Sequence, residues 1–242
     1  MLKSIALQWR AINFRQLIIA LIIQSIIWWY VPVSYAGKIS TASYGYNLVF
    51  LFLFSLTVAA SAQLLFSTEF KYRFSLLTII ASFVLAFSGV INGKFVILLM
   101  LLLLPAFLFV LQIQPFQMQN EFGWLIYSLL ATLIIPTTIF FFIAHFLSWN
   151  FIWALIPLWL SFLFFLAPTF MLKRDWRYRL FSLVSGVLLI TSILFKSLSM
   201  AHIIAIILVV AAWLVMQNWP HLEDQYLRYN FWQLVVIILI YL

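Results

Sequence analysis

From Phe14 onward the chain alternates apolar runs of roughly 20 residues with short polar breaks, and that is the length an α-helix needs to cross the hydrocarbon core of a bilayer. Hydrophobic residues make up 67% of the sequence and charged residues 7%, against about half and a quarter in ordinary soluble domains. Five acids and thirteen bases leave too little charged surface to cover a water-soluble fold of this composition. In lipid every backbone N–H and C=O must be satisfied within the protein, which restricts a spanning chain to helices or a closed barrel. Runs of this length select helices, so the expected fold is all-α: a polytopic membrane protein with one transmembrane domain over residues 1–242.

Nine spans are expected. They run from about Phe14 to Ser34, Tyr46 to Phe66, Phe74 to Ile91, Phe95 to Leu111, Gly123 to Phe146, Phe151 to Met171, Leu180 to Phe195, Met200 to Trp219, and Tyr229 to Leu242. Asn92-Gly93-Lys94 and Lys196-Ser197-Leu198-Ser199 separate two pairs that would otherwise merge into helices far too long for the bilayer. Pro105, Pro136, Pro157 and Pro168 fall inside spans, where neighbouring helices can satisfy the backbone groups that a proline frees. The first run is long, ends in Trp28-Trp29-Tyr30 and lacks a small-residue cleavage pattern, so it is expected to be an anchor rather than a removable signal.

With nine spans, Lys and Arg divide unevenly. Lys3, Arg10, Arg15, Lys71, Arg73, Lys173, Arg174, Arg177, Arg179 and Arg228 gather on one side, and Lys38, Lys94 and Lys196 on the other. Basic loops stay cytoplasmic, which predicts a cytoplasmic N-terminus and an external C-terminus in the plasma membrane. The net charge of +8 then reflects this bias and contact with anionic lipid. No basic stripe interleaves with exposed aromatics, so nucleic acid is not an expected partner. The absence of cysteine excludes disulfides, thiolate metal sites and thiol nucleophiles.

The spans hold almost no ionisable residue. His145 and His202 lie near the outer ends of the fifth and eighth and have no partner spacing for a metal; the ordinary role of such a histidine is a solvated or hydrogen-bonded one. The polar groups collect on the cytoplasmic side instead. Glu69 follows the second span in Phe66-Ser67-Thr68-Glu69-Phe70-Lys71-Tyr72-Arg73, Asp175 follows the sixth in Lys173-Arg174-Asp175-Trp176-Arg177-Tyr178-Arg179, and Gln112, Gln114, Gln117, Gln119, Asn120 and Glu121 crowd the loop before the fifth. Charges cluster where helices meet water, and topology alone accounts for many of them. Two carboxylates flanked by arginines also fit Mg²⁺ and a diphosphate, since Mg²⁺ takes oxygen ligands shared with phosphates and arginine matches phosphate oxygens bidentately.

On these residues the chain resembles the UbiA superfamily of membrane prenyltransferases, most closely its menaquinone-pathway branch. Pro115-Phe116 through Asn120-Glu121-Phe122-Gly123 resembles the loop before helix five of that branch, and Leu147-Ser148-Trp149 through Ile156-Pro157 resembles its approach to helix six. Lys173 through Arg179 resembles its second aspartate segment, and Arg228 through Gln233 resembles the start of its last helix. The resemblance implies a UbiA-like bundle of nine helices that transfers a prenyl group from a prenyl diphosphate to an aromatic acceptor in quinone biosynthesis. It implies Glu69 and Asp175 as catalytic, Mg²⁺-facing carboxylates, and Lys71, Arg73, Arg174, Arg177 and Arg179 as the diphosphate-binding cations. The chain departs from the family where the first motif carries asparagine and aspartates, since only Glu69 stands there, and where the second motif carries its second aspartate, since Arg179 stands there.

Two other readings follow from the residues alone. The thin set of acids fits a non-catalytic membrane component, either a lipid-binding protein or a permease-like subunit of a larger assembly. A transporter or channel would place ionisable or glycine-broken helices in matched halves, and no such halves are evident.

Overall fold

The computed structural model describes residues 13–39, 45–68, 70, 74–90, 95–113, 118–171, 175–196, 198–218 and 225–242. These residues form helices and no strands: α1 (Phe14–Ala36), α2 (Asn47–Phe66), α3 (Ser75–Val90), α4 (Phe95–Gln112), α5 (Glu121–Ala144), α6 (Trp149–Ala154), α7 (Ile156–Phe170), α8 (Trp176–Leu194), α9 (Met200–Asn218) and α10 (Gln225–Tyr241). Taking α6 and α7 as one rod, seven helices are long and apolar enough to cross a membrane. Two shorter apolar helices, α3 and α10, accompany them.

Local chemistry sets the boundaries. The Asn13 side chain caps α1 by accepting from the Gln16 amide, and Asn120 Oδ1 caps α5 by accepting from the amides of Phe122 (3.0 Å) and Gly123 (3.2 Å). Asn is among the strongest N-caps, and here it starts α5 two residues ahead of the sequence expectation, bringing Glu121 into the first turn. Leu155 separates α6 from α7, beside Pro157, which has no N–H to continue the ladder. The sixth predicted span is therefore a broken rod. α5 ends on His145, whose φ of 65° is left-handed and whose amide donates to the Phe141 carbonyl at 2.8 Å; glycine usually takes this terminating position.

Two further boundaries correct the sequence reading. α8 begins at Trp176 rather than near Leu180, so Arg177 and Arg179 ride on its first turn instead of a loop. α10 begins at Gln225 rather than near Tyr229, which takes Arg228 into that helix.

The chain packs as two compact units. The first holds α1 to α4 and residues 134–147. There α2 packs on α1 and α3, and α3 on α4. A run of small buried residues on α2, Ala59 to Ala62, allows close backbone approach, the usual basis of helix association in lipid. Polar contacts fix the pairs: Trp29 Nε1 donates to Ser55 Oγ at 3.1 Å, the hydroxyls of Ser61 and Thr78 lie 2.8 Å apart, and the Gln112 amide donates to Ser75 Oγ. The Tyr35 and Phe140 rings meet edge to face at 5.6 Å.

The second unit holds residues 119–133 and α6 to α10, and it is built around α7. Every residue of α7 except Ile156 and Trp159 is buried, as expected of a helix apolar on all sides. It packs on α8 and α10, and α9 lies against both of those. At one end Glu121 of α5 meets Arg177 of α8, and Gln217 of α9 donates to Ser182 of α8 at 3.1 Å. Tyr241 of α10, Lys196 after α8 and Ala154 of α6 come together elsewhere in the unit.

Candidate functional site

The polar residues singled out from the sequence are described in part. Glu69, Lys71, Arg73 and Arg174 lie outside the described residues. Asp175, Arg177 and Arg179 lie together at the start of α8, all three exposed. Asp175 takes the N-cap position with an extended backbone, ψ 175°, and its side chain makes no capping bond. A carboxylate there still interacts favourably with the N-terminal end of the helix dipole.

Tyr178, between the two arginines, is 1% exposed. Its burial turns α8 so that Arg177 and Arg179 face outward on either side of it. Arg177 Nη1 lies 3.8 Å from Glu121 Oε1, with the arginine side chain 65% and the glutamate 34% exposed. A pair so open to solvent contributes at most about 1 kcal/mol. Deeper in this unit Trp124 Nε1 donates to the Leu163 carbonyl at 2.8 Å, and the Trp124 and Phe181 rings meet at 5.7 Å.

The described charges of the cluster cancel, Arg177 and Arg179 against Glu121 and Asp175. Guanidinium groups take phosphate oxygens two at a time, and Glu121 already engages one of the two described here. Among the described residues no group of three His, Cys, Asp or Glu could hold a metal ion. Glu121 faces Arg177, which leaves Asp175 as the second described carboxylate, and Mg²⁺ in a near-octahedral shell needs more oxygen ligands than one side chain supplies. The described residues by themselves do not fit a magnesium site.

His202 has a structural place. The Ser199 amide donates to His202 Nδ1 at 3.3 Å, the His202 amide donates to Ser199 Oγ at 3.4 Å, and Oγ and Nδ1 lie 2.7 Å apart. This reciprocal arrangement is a capping box at the start of α9, with histidine in the usual place of glutamate.

Buried amides and hydroxyls in the second unit escaped the sequence reading, which looked for ionisable groups. Gln233 Nε2 of α10 donates to Ser161 Oγ of α7 at 3.0 Å, both side chains fully buried. Tyr127, Tyr226 and Asn230 are buried in the same unit, Asn230 one turn beyond Tyr226 on α10. The available signal was Asn230 and Gln233 three residues apart, on one helical face. Compared with known proteins, the chain matches no family model, no curated protein and no solved structure.

Proposed function

We propose that the chain is a UbiA-like integral membrane protein that receives a prenyl diphosphate at its arginine-rich end and transfers the prenyl group to an aromatic acceptor. The observation that carries this reading is the start of α8, where Asp175, Arg177 and Arg179 are exposed at the end of a helix otherwise apolar enough to cross the membrane. A diphosphate at that rim would leave its hydrocarbon chain in the bilayer. Glu69, Lys71, Arg73 and Arg174 complete the proposed site from outside the described residues.

The proposal includes nine crossings, a cytoplasmic N-terminus, an external C-terminus and the plasma membrane as location. The Glu121–Arg177 pair supports it, since the starts of α5 and α8 share an end only if an even number of crossings separates them. The uneven division of Lys and Arg supports the orientation.

The test is binding and turnover by the purified full chain in lipid, using a radiolabelled prenyl diphosphate with and without Mg²⁺ and with aromatic acceptors. Saturable binding weakened by Arg177→Ala and Arg179→Ala, with transfer lost on Asp175→Asn, is the expected result. Absence of binding overturns the reading. Binding without transfer under any metal condition favours the second reading, a non-catalytic lipid-binding or permease-like membrane subunit. The engagement of Arg177 by Glu121 and the small set of described acids favour that reading, and its protein partners would be found by copurification.

A further inference from the structure

In the second unit the turn from α8 into α9 is closed by a histidine where a capping box ordinarily carries glutamate or glutamine. α9 begins at Met200, so Ser199 stands at its N-cap and His202 at its third position. The Ser199 amide donates to His202 Nδ1 at 3.3 Å, the Ser199 hydroxyl oxygen lies 2.7 Å from the same nitrogen, and the His202 amide donates back to Ser199 Oγ at 3.4 Å. His202 is 6% exposed, while Leu198 and Met200 on either side of Ser199 are exposed. The buried ring thus sits at the edge of the protein.

This geometry decides which ring nitrogen carries the proton. A backbone N–H can only donate, so the bond from the Ser199 amide requires a bare Nδ1. The ring is neutral, with its proton on Nε2, which is buried and has no partner among the described residues. A second proton has one place to go, Nδ1. There it sets N–H against N–H, takes away the acceptor of the Ser199 amide, and puts a positive charge at the positive end of the α9 dipole.

Nothing described nearby offsets that charge. The helices packed on α9 are α8 and α10. At this end they bring Lys196, just past α8, and Tyr241 of α10, side chains of classes that ordinarily titrate near pH 10. The other charged residues described on these two helices, Asp175, Arg177, Arg179 and Arg228, belong to their starts, at the far end of the unit, and Glu121 is there with Arg177.

We propose that Ser199 and His202 form a pH-sensitive latch on the turn between α8 and α9, closed while His202 is neutral and opened when acid protonates its ring. Histidine is the side chain that ordinarily changes charge between about pH 5 and 8. The closed latch binds no proton at Nδ1 and the open one does, so falling pH favours opening. On opening, the imidazolium leaves its buried position for water and the first turn of α9 frays. This device does not depend on the arginine-rich end.

The test is hydrogen exchange of the full chain in lipid nanodiscs, read by mass spectrometry as protection factors corrected for the intrinsic effect of pH. Between about pH 8 and about pH 5, protection over residues 198–204 should fall by about five- to tenfold, the worth of a lost N-cap, and the rest of α9 should stay unchanged. His202→Gln keeps the acceptor of a capping box without titrating, and should hold its protection at both pH values; His202→Ala should be poorly protected at both. Nitrogen-15 spectra of histidine-labelled protein, with the His202 signals identified by their loss in the glutamine variant, should show a bare Nδ1 at the higher pH and both nitrogens protonated at the lower. The wild-type exchange and the nitrogen spectra decide even where a variant fails to fold. A proton on Nδ1 at the higher pH, unchanged wild-type protection, or an equal fall in His202→Gln would overturn the proposal.

Discussion

The ammonium of Lys196, just past α8, stands 4.0 Å from the centre of the Tyr241 ring at the end of α10 and donates to the Ile240 carbonyl at 3.1 Å. The Tyr241 hydroxyl donates in turn to the Ala154 carbonyl at the end of α6. One cation thus combines a ring contact with a carbonyl at the negative end of a helix, and each is favourable by about 0.5–1 kcal/mol. Lys196→Met should lower stability by about 1–2 kcal/mol, or several degrees in Tm for a chain of this size. Tyr241→Phe should cost about 1 kcal/mol through its lost hydrogen bond. Thermal unfolding in detergent reads both.

The Gln233–Ser161 bond joins α10 to the buried α7. Ser161→Ala leaves a buried amide without its acceptor and should cost about 1–3 kcal/mol. The double variant Ser161→Ala, Gln233→Leu removes both partners and should recover most of that loss, with a coupling of about 1 kcal/mol between the sites. A double-mutant cycle by denaturant unfolding in mixed micelles checks this.

Gly186 of α8 lies against Phe164 of α7, and a Cβ there would stand 3.0 Å from Phe164 Cε2. Phe164 is fully buried and cannot step aside. Gly186→Ala should gain up to about 1 kcal/mol of helix propensity yet lose about 1–3 kcal/mol to overpacking, a net destabilisation. Adding Phe164→Leu should return part of the stability, and the melting temperatures of the three variants show whether it does.

Glu121 competes with any anion for Arg177. Glu121→Gln should therefore tighten binding of a prenyl diphosphate by about threefold, the strength of an exposed pair, and Arg177→Ala should weaken it by about tenfold, a lost charge-assisted bond. Titration of fluorescent prenyl diphosphate in low and moderate salt reads the sign, and salt should shrink both effects.

Hydropathy made the helices legible because each span is a long apolar run, and starts such as Phe14, Phe95 and Met200 coincide with those read from the sequence. The first turns of α5, α8 and α10 were not legible by that signal. Glu121, Arg177, Arg179 and Arg228 are polar, so a hydropathy reading starts each helix after them. Pro157 was read as a tolerated proline inside the sixth span, yet the rod breaks beside it at Leu155, while Pro105, Pro136 and Pro168 interrupt no described helix, so proline alone does not locate a break. Asp175, Arg177 and Arg179 were read as one loop segment, and the structure places them at the start of α8. The state of the Thr137 hydroxyl, buried with no partner among the described residues, was invisible: Thr132 and Thr138 look the same in sequence, and only packing separates them.

The enclosure of α7 also bears on how the protein is made. α7 leaves the ribosome before α8, α9 and α10, so the segment most hidden in the folded molecule must first sit among acyl chains, its Ser161 hydroxyl held by the Leu158 carbonyl of the same helix. Its apolar character makes that wait tolerable, and Gln233 of α10 then donates to Ser161 and closes the seam. Chains that stop short of α10 would keep that seam open to the bilayer, a defect that membrane quality control could detect.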